Sequence, residues 1–189
     1  PLFSPEISLR PVVRPDGIVE KALFGKRKKR KGSVCGNIEI QGEKVGNYKW
    51  GVYAFFDYDG EPIYVGQTND MLRTRIRRHL TNQRTDAVAM SVLDPFEVYE
   101  IEVWPLAQFQ NVDRANKTAK THLDALEHLI TETAVANSQF KAILNEKDPP
   151  LSDLNVKPPK SLRATVVSDR VFEMRSHPDF RIARRALTI

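Results

Sequence analysis

Two tyrosines, an arginine, a histidine and a glutamate stand out, because their side chains can move a proton, hold an anion or hold a cation. Tyr53 and Tyr64 lie in the β-prone runs Gly51-Val52-Tyr53-Ala54-Phe55-Phe56 and Pro62-Ile63-Tyr64-Val65-Gly66. Arg75 and His79 are one helical turn apart. Glu127 sits where apolar residues recur with helical spacing, and Asn145 follows further along the chain. Taken one at a time, each has an ordinary structural explanation: a strand tyrosine packs, a helical arginine, histidine or glutamate meets water, and an asparagine ends a helix or turns the chain. His122 and His128 keep that ordinary explanation.

The elements that must position these groups follow from the pattern around them. Asp57-Tyr58-Asp59-Gly60 separates the two β-prone runs, and its Asp-Gly step signals a hairpin. A two-residue turn closing Asp57 onto Gly60 sets Tyr53 directly opposite Tyr64, with both phenols on one face. Asn69 or Asp70 can cap a helix running to about Leu80, with Leu72, Ile76 and Leu80 as its buried stripe. At about 100° per residue, Arg75 and His79 fall roughly 100° and 60° from the centre of that stripe and flank the buried face. Arg78 falls nearly opposite, as a surface charge. Phe96 to Trp104 alternates as a third strand with one slipped step. From about Thr118 to Ala136 a second helix lines up Leu123, Leu126, Ile130 and Ala134, with Glu127 about 90° from that stripe and His128 pointing outward. The fold class is α+β: a small antiparallel three-stranded sheet flanked by helices.

The chain has 189 residues, and 41% hydrophobic content fills one modest core. Residues 1–47 read as a basic N-terminal extension around Lys26-Arg27-Lys28-Lys29-Arg30-Lys31, residues 48–156 as the domain proper, and residues 157–189 as a C-terminal extension. Within the last, Ala164-Thr165-Val166-Val167 could be a strand and Pro178 could open a short basic helix. A net charge of +5 and a pI near 9.4 favour a polyanionic partner, nucleic acid first. Cys35 is the only cysteine, which excludes an intramolecular disulfide and a thiolate zinc site and fits a reducing cytosol. No apolar run approaches the roughly 18 to 20 residues that a membrane span needs, so the expectation is a soluble, cytoplasmic protein.

In combination the residues say more. Gly51-Val52-Tyr53, Tyr64-Val65-Gly66, Arg75-Ile76-Arg77-Arg78-His79, Leu126-Glu127-His128-Leu129-Ile130 and Asn145, in that order, resemble the GIY-YIG nuclease superfamily, each tripeptide carrying an Ile to Val change. The resemblance covers residues 50 to about 147 and is strongest over Trp50 to Leu80. The glutamate motif departs from the usual spacing, and Asn137 and Asn155 rival Asn145 for the last position.

The resemblance implies a metal-dependent endonuclease of the restriction, repair or homing type. Glu127 would ligate one Mg²⁺ or Mn²⁺ ion per site, since a lone carboxylate suits a cation that keeps its water and takes other ligands from substrate. Arg75 would bind the scissile phosphate. Tyr53 would be the general base or position the water, provided that positive charge lowers a phenol pKa ordinarily near about 10. Tyr64 would orient Tyr53 or the water, and His79 could take the proton instead. The six-charge block Lys26 to Lys31 has no interleaved aromatic, which fits phosphate contacts rather than base stacking. Arg73, Arg77, Arg78 and Arg84, with Arg181, Arg184 and Arg185, could extend that basic surface. The expected substrate is double-stranded DNA, and restriction of invading DNA is the leading role, with repair or mobile-element cleavage behind it. The rivals are a binding module that lost the chemistry and a nuclease acting on RNA. A two-strand cut at a palindrome would call for a homodimer.

Overall fold

The computed structural model describes residues 39–40, 43–80, 93–145, 148–152 and 154–180. The basic block Lys26 to Lys31 lies outside them, as do Arg84, Arg181, Arg184 and Arg185. Two short strands, β1 (Glu39–Ile40) and β2 (Glu43–Lys44), pair antiparallel and lead into a turn of 3-10 helix at Val45–Asn47. Then come β3 (Gly51–Phe56), β4 (Pro62–Thr68), helix α1 (Leu72–Leu80), β5 (Glu100–Pro105), helix α2 (Lys117–Asn137), β6 (Leu162–Thr165) and helix α3 (Asp169–Arg175). Among the described residues, no helix is long and apolar enough to cross a membrane.

The main sheet has four strands in the order β4-β3-β5-β6, all antiparallel to their neighbours, where the sequence pattern gave three. The fourth comes from the segment read as a C-terminal extension. Ala164 of β6 is buried against the sheet, and Arg163 lies 3.7 Å over the Phe56 ring while pairing with Glu100. After it, α3 sets Phe172 against Tyr58 and Tyr99, with ring centroids at 5.8 and 4.6 Å. The chain is helical again at 178–180, where Pro178 was expected to open a helix. The third strand is shorter than its alternation implied: residues 95–97 form a turn closed by Asp94, and only Glu100 to Pro105 pair with β3. The slipped step of the pattern falls at residues 98–99, between that turn and the paired strand.

The hairpin register also differs. Asp57 pairs with Glu61 rather than Gly60, because its carboxylate accepts from the backbone N–H groups of both Asp59 and Glu61, and Gly60 takes a φ of 79°. This is a type I turn followed by a left-handed glycine, which makes a three-residue loop. A second shift falls between Phe55 and Phe56, so Tyr64 lies opposite Phe55, and Gly66 lies opposite Tyr53. Two shifts of one residue cancel in parity. Tyr53 and Tyr64 therefore still share a face, diagonally and with ring centroids 6.2 Å apart, although they are not directly paired.

Strand alternation divides the core into two layers. On one face Tyr53, Phe55, Ile101 and Val103 pack with Leu72 and Ile76 of α1 and with Val45 and Tyr48. On the other, Val52, Ala54 and Val65 pack with Leu123, Leu126 and Ile130 of α2, the helix stripe expected from the sequence. The N-cap of α2 is Asn116, whose side chain accepts from Ala119 N–H at 2.9 Å. Its C-terminus is tied to the hairpin through Glu61, which accepts from Ser138 Oγ and from Gln139 N–H. His128 does not point freely outward: its side chain is 22% exposed and faces Glu132 at 3.5 Å.

Candidate active site

Strand β3 carries Tyr53 into the layer beneath α1, where none of it is exposed. Its hydroxyl lies 2.9 Å from His79 Nε2 and receives the Arg75 Nε–H at 3.3 Å. A phenol oxygen can both donate and accept, so the contact to His79 Nε2 forms with either tautomer of the ring. One helical turn separates Arg75 from His79, which is why both reach a single atom. His79 is buried amid the rings of Tyr53, Phe55 and Tyr64, with the Tyr64 centroid at 5.1 Å.

Space for this cluster depends on Gly66. A Cβ there would come within 2.8 Å of both Tyr53 Oη and Tyr64 Cε1. Sitting directly across from Tyr53, this glycine allows the two phenols to lean together over β4.

Burial pushes the Tyr53 hydroxyl well above the usual phenol range, and the neighbouring Tyr64 adds to this. Arg75 pulls the other way and is outweighed. The lowered phenol pKa that the base role called for is thus not what this environment produces; at neutral pH Tyr53 keeps its proton.

Glu127 approaches from the other face of the sheet. Gln67 alternates with Gly66, so its side chain emerges on the α2 side. There its Nε2 donates to Glu127 Oε2 at 2.7 Å and to Asp124 Oδ1 at 2.8 Å, while Lys120 Nζ approaches its Oε1 at 3.4 Å and pairs with Asp124. Glu127 is 9% exposed, and burial raises its carboxyl to about 7 against the pull of Lys120, Gln67 and Arg75. Arg75 thus touches Tyr53 and acts electrostatically on Glu127. The two halves meet at β4, an edge strand of the sheet, where groups from both faces can converge.

These donors fit a hard divalent cation. A buried carboxylate whose charge is poorly compensated gains most from a cation beside it, and oxygen ligands suit Mg²⁺ or Mn²⁺. Among the described residues no group of three or more His, Cys, Asp and Glu side chains could hold a metal ion, so Glu127 would hold it with water and substrate oxygens.

The structure thus brings together Tyr53, Tyr64, Arg75 and His79, with Glu127 across the edge strand. Asn145 bonds to the backbone next to Tyr64: its Oδ1 accepts from the Val65 N–H at 3.1 Å on the outer edge of β4. Asn137 is exposed at the end of α2, and Asn155 lines a cavity of about 170 Å³ with His122 and Lys157. Arg73, Arg77 and Arg78 are exposed on α1. Gln67, Lys120 and Asp124 were missed from the sequence. The signal available was the spacing of Lys120, Asp124 and Glu127 along one helix face, opposite a polar residue in a β-strand.

No curated protein and no solved structure matches the chain. Residues 49–130 match the family model of the GIY-YIG catalytic domain, so the resemblance read from the tyrosine hairpin and the Arg75–His79 helix holds over that segment, which ends before Asn145.

Proposed function

We propose that this protein is a metal-dependent endonuclease acting on double-stranded DNA. The observation that carries the reading is the convergence of Arg75 and His79 on the Tyr53 hydroxyl, with Arg75 also acting on the buried Glu127. Phosphodiester hydrolysis needs a held phosphate, an activated water and relief of charge on the departing oxygen. Arg75 holds the phosphate. Its guanidinium lies over the Tyr53 oxygen, and engaging the phosphate draws it away and opens the phenol to water. Tyr53 then receives the water proton as it passes its own to His79 Nε2, so no free phenolate is required. As the water oxygen bonds to phosphorus, the bond to the leaving oxygen breaks, and solvent protonates that oxygen. Tyr64 orients Tyr53. Glu127 would hold a Mg²⁺ or Mn²⁺ ion, which when bound offsets negative charge at the phosphate. Of the biological roles open to such an enzyme, restriction of invading DNA is the leading one.

The test is incubation of the purified protein with supercoiled plasmid and Mg²⁺. Nicked or linear product that disappears with a chelator is expected. A shift of plasmid in a gel with no cutting at any Mg²⁺ or Mn²⁺ concentration would make the chain a binding module, and preferential cutting of a structured RNA would change the substrate class.

A further inference from the structure

Gln67 plays no part in the chemistry above, yet it is among the most tightly held polar side chains near it. One amide group makes three contacts to one face of α2: its Nε2 hydrogens go to Glu127 and Asp124, and its Oε1 faces the Lys120 ammonium. Only this orientation of the amide works, since the flipped form would set its oxygen against two carboxylates and its NH₂ against an ammonium. Lys120 and Asp124 in turn pair with each other, so the brace is closed on itself.

The consequence falls on Glu127. With Oε2 engaged by Gln67, the other oxygen, Oε1, carries no hydrogen bond among the described residues. We infer that Gln67 is a positioning residue for the cation site: it fixes the Glu127 carboxylate so that Oε1 alone is presented as a single-oxygen ligand. This rests on the reading of Glu127 as the cation's ligand. A neighbour that orients a ligating carboxylate typically contributes about 10- to 100-fold in metal affinity. A one-oxygen ligand also leaves the remaining coordination positions to water and phosphate, as Mg²⁺ prefers.

The experiment titrates Mn²⁺ into the full chain by calorimetry and measures plasmid cutting against Mn²⁺ concentration. Gln67→Met keeps the volume and removes the donor; Gln67→Asn, one methylene shorter, serves if the first does not fold. The expected result is Mn²⁺ affinity weakened about tenfold, cutting restored to near the wild-type maximum at high Mn²⁺, and unchanged DNA binding in chelator. Wild-type Mn²⁺ affinity in a folded Gln67 variant overturns the inference, even if that variant cuts poorly. The two readings fail separately. Mn²⁺ binding that depends on Glu127 and Gln67 in a chain that never cuts DNA supports the inference and sinks the nuclease reading. Cutting with Mn²⁺ affinity indifferent to Gln67 does the reverse.

Discussion

The two sides of the edge strand β4 treat buried polar groups in opposite ways. Beneath α1, the Tyr53 phenol keeps its proton, and it and His79 are enclosed by rings and bonded to each other, with Arg75 donating to the phenol. Beside α2, Glu127 is a carboxyl held by one amide, with mixed charges around it and an oxygen to spare. Burial raises the proton affinity of both groups, but with different results. A phenol that stays protonated in water loses nothing by staying protonated in a core. A carboxyl that would ionise in water gives up stability, and a cation can return it. The first side is complete as it stands, while the second is built to be completed.

The strongest way to break this contrast is Glu127→Ala, which should leave plasmid binding in chelator intact and reduce cutting by more than about 10³-fold, several kcal/mol of lost cation effect. Undiminished cutting would show that the α2 side is not the cation's. Tyr53→Phe should lower the cutting rate about 10²- to 10⁴-fold at saturating metal, with Mn²⁺ affinity unchanged, because only the proton relay is removed. Equal losses of rate and of Mn²⁺ affinity would merge the two sides into one. Gly66→Ala drives a methyl group against both tyrosines and should slow cutting about 10²-fold through misplacement. It should also cost about 1 to 3 kcal/mol in denaturant unfolding.

The contrast also has a pH signature. The folded carboxyl of Glu127 titrates at about 7 against 4.5 for the free group, so between those values the folded state holds more proton than the unfolded one. Stability of the metal-free protein should therefore be highest below about pH 4.5 as far as this group is concerned, and fall as pH rises towards 7, by at most about 3 kcal/mol. Unfolding curves at pH 5 and pH 8 check it: Glu127→Gln should flatten the difference, and saturating Mg²⁺ should restore stability at pH 8. The smallest effect belongs to the exposed arginines. Replacing Arg73, Arg77 and Arg78 by Gln should reduce the salt dependence of DNA affinity by a slope of up to roughly 2.7, leaving Mn²⁺ affinity as it was.

What could be read from the sequence tracks what is local. The spacing of Leu72, Ile76 and Leu80 and of Leu123, Leu126 and Ile130 places both helices, and rotation about the first axis sets Arg75 beside the buried face; His79 and Glu127, expected at the border, are buried, His79 more fully than Leu80. The hairpin was legible in existence but not in register. Asp57 chose the turn by accepting two backbone N–H groups, and a bulge at Phe55 and Phe56 added a second shift that no residue type announces. The shared face of Tyr53 and Tyr64 survived because the two shifts cancel. β6 was less legible because Leu162 to Thr165 is short and pairs across a gap of more than half the domain, with nothing local to mark its partner. Gln67 was invisible for a related reason. Its importance comes from three residues on a helix that the chain reaches only after β5.

The outer rim of β4 has one more implication. A terminal strand with bare amides and carbonyls is a template on which a foreign strand can grow, and this one runs beside the groups proposed to cut DNA. Asn145 caps the Val65 N–H, and the Leu144 N–H caps the Ile63 carbonyl. A short stretch of ordinary loop thus acts as a selvedge on the sheet. Fraying it with Asn145→Ala would be seen as self-association at high concentration before any loss of catalytic chemistry.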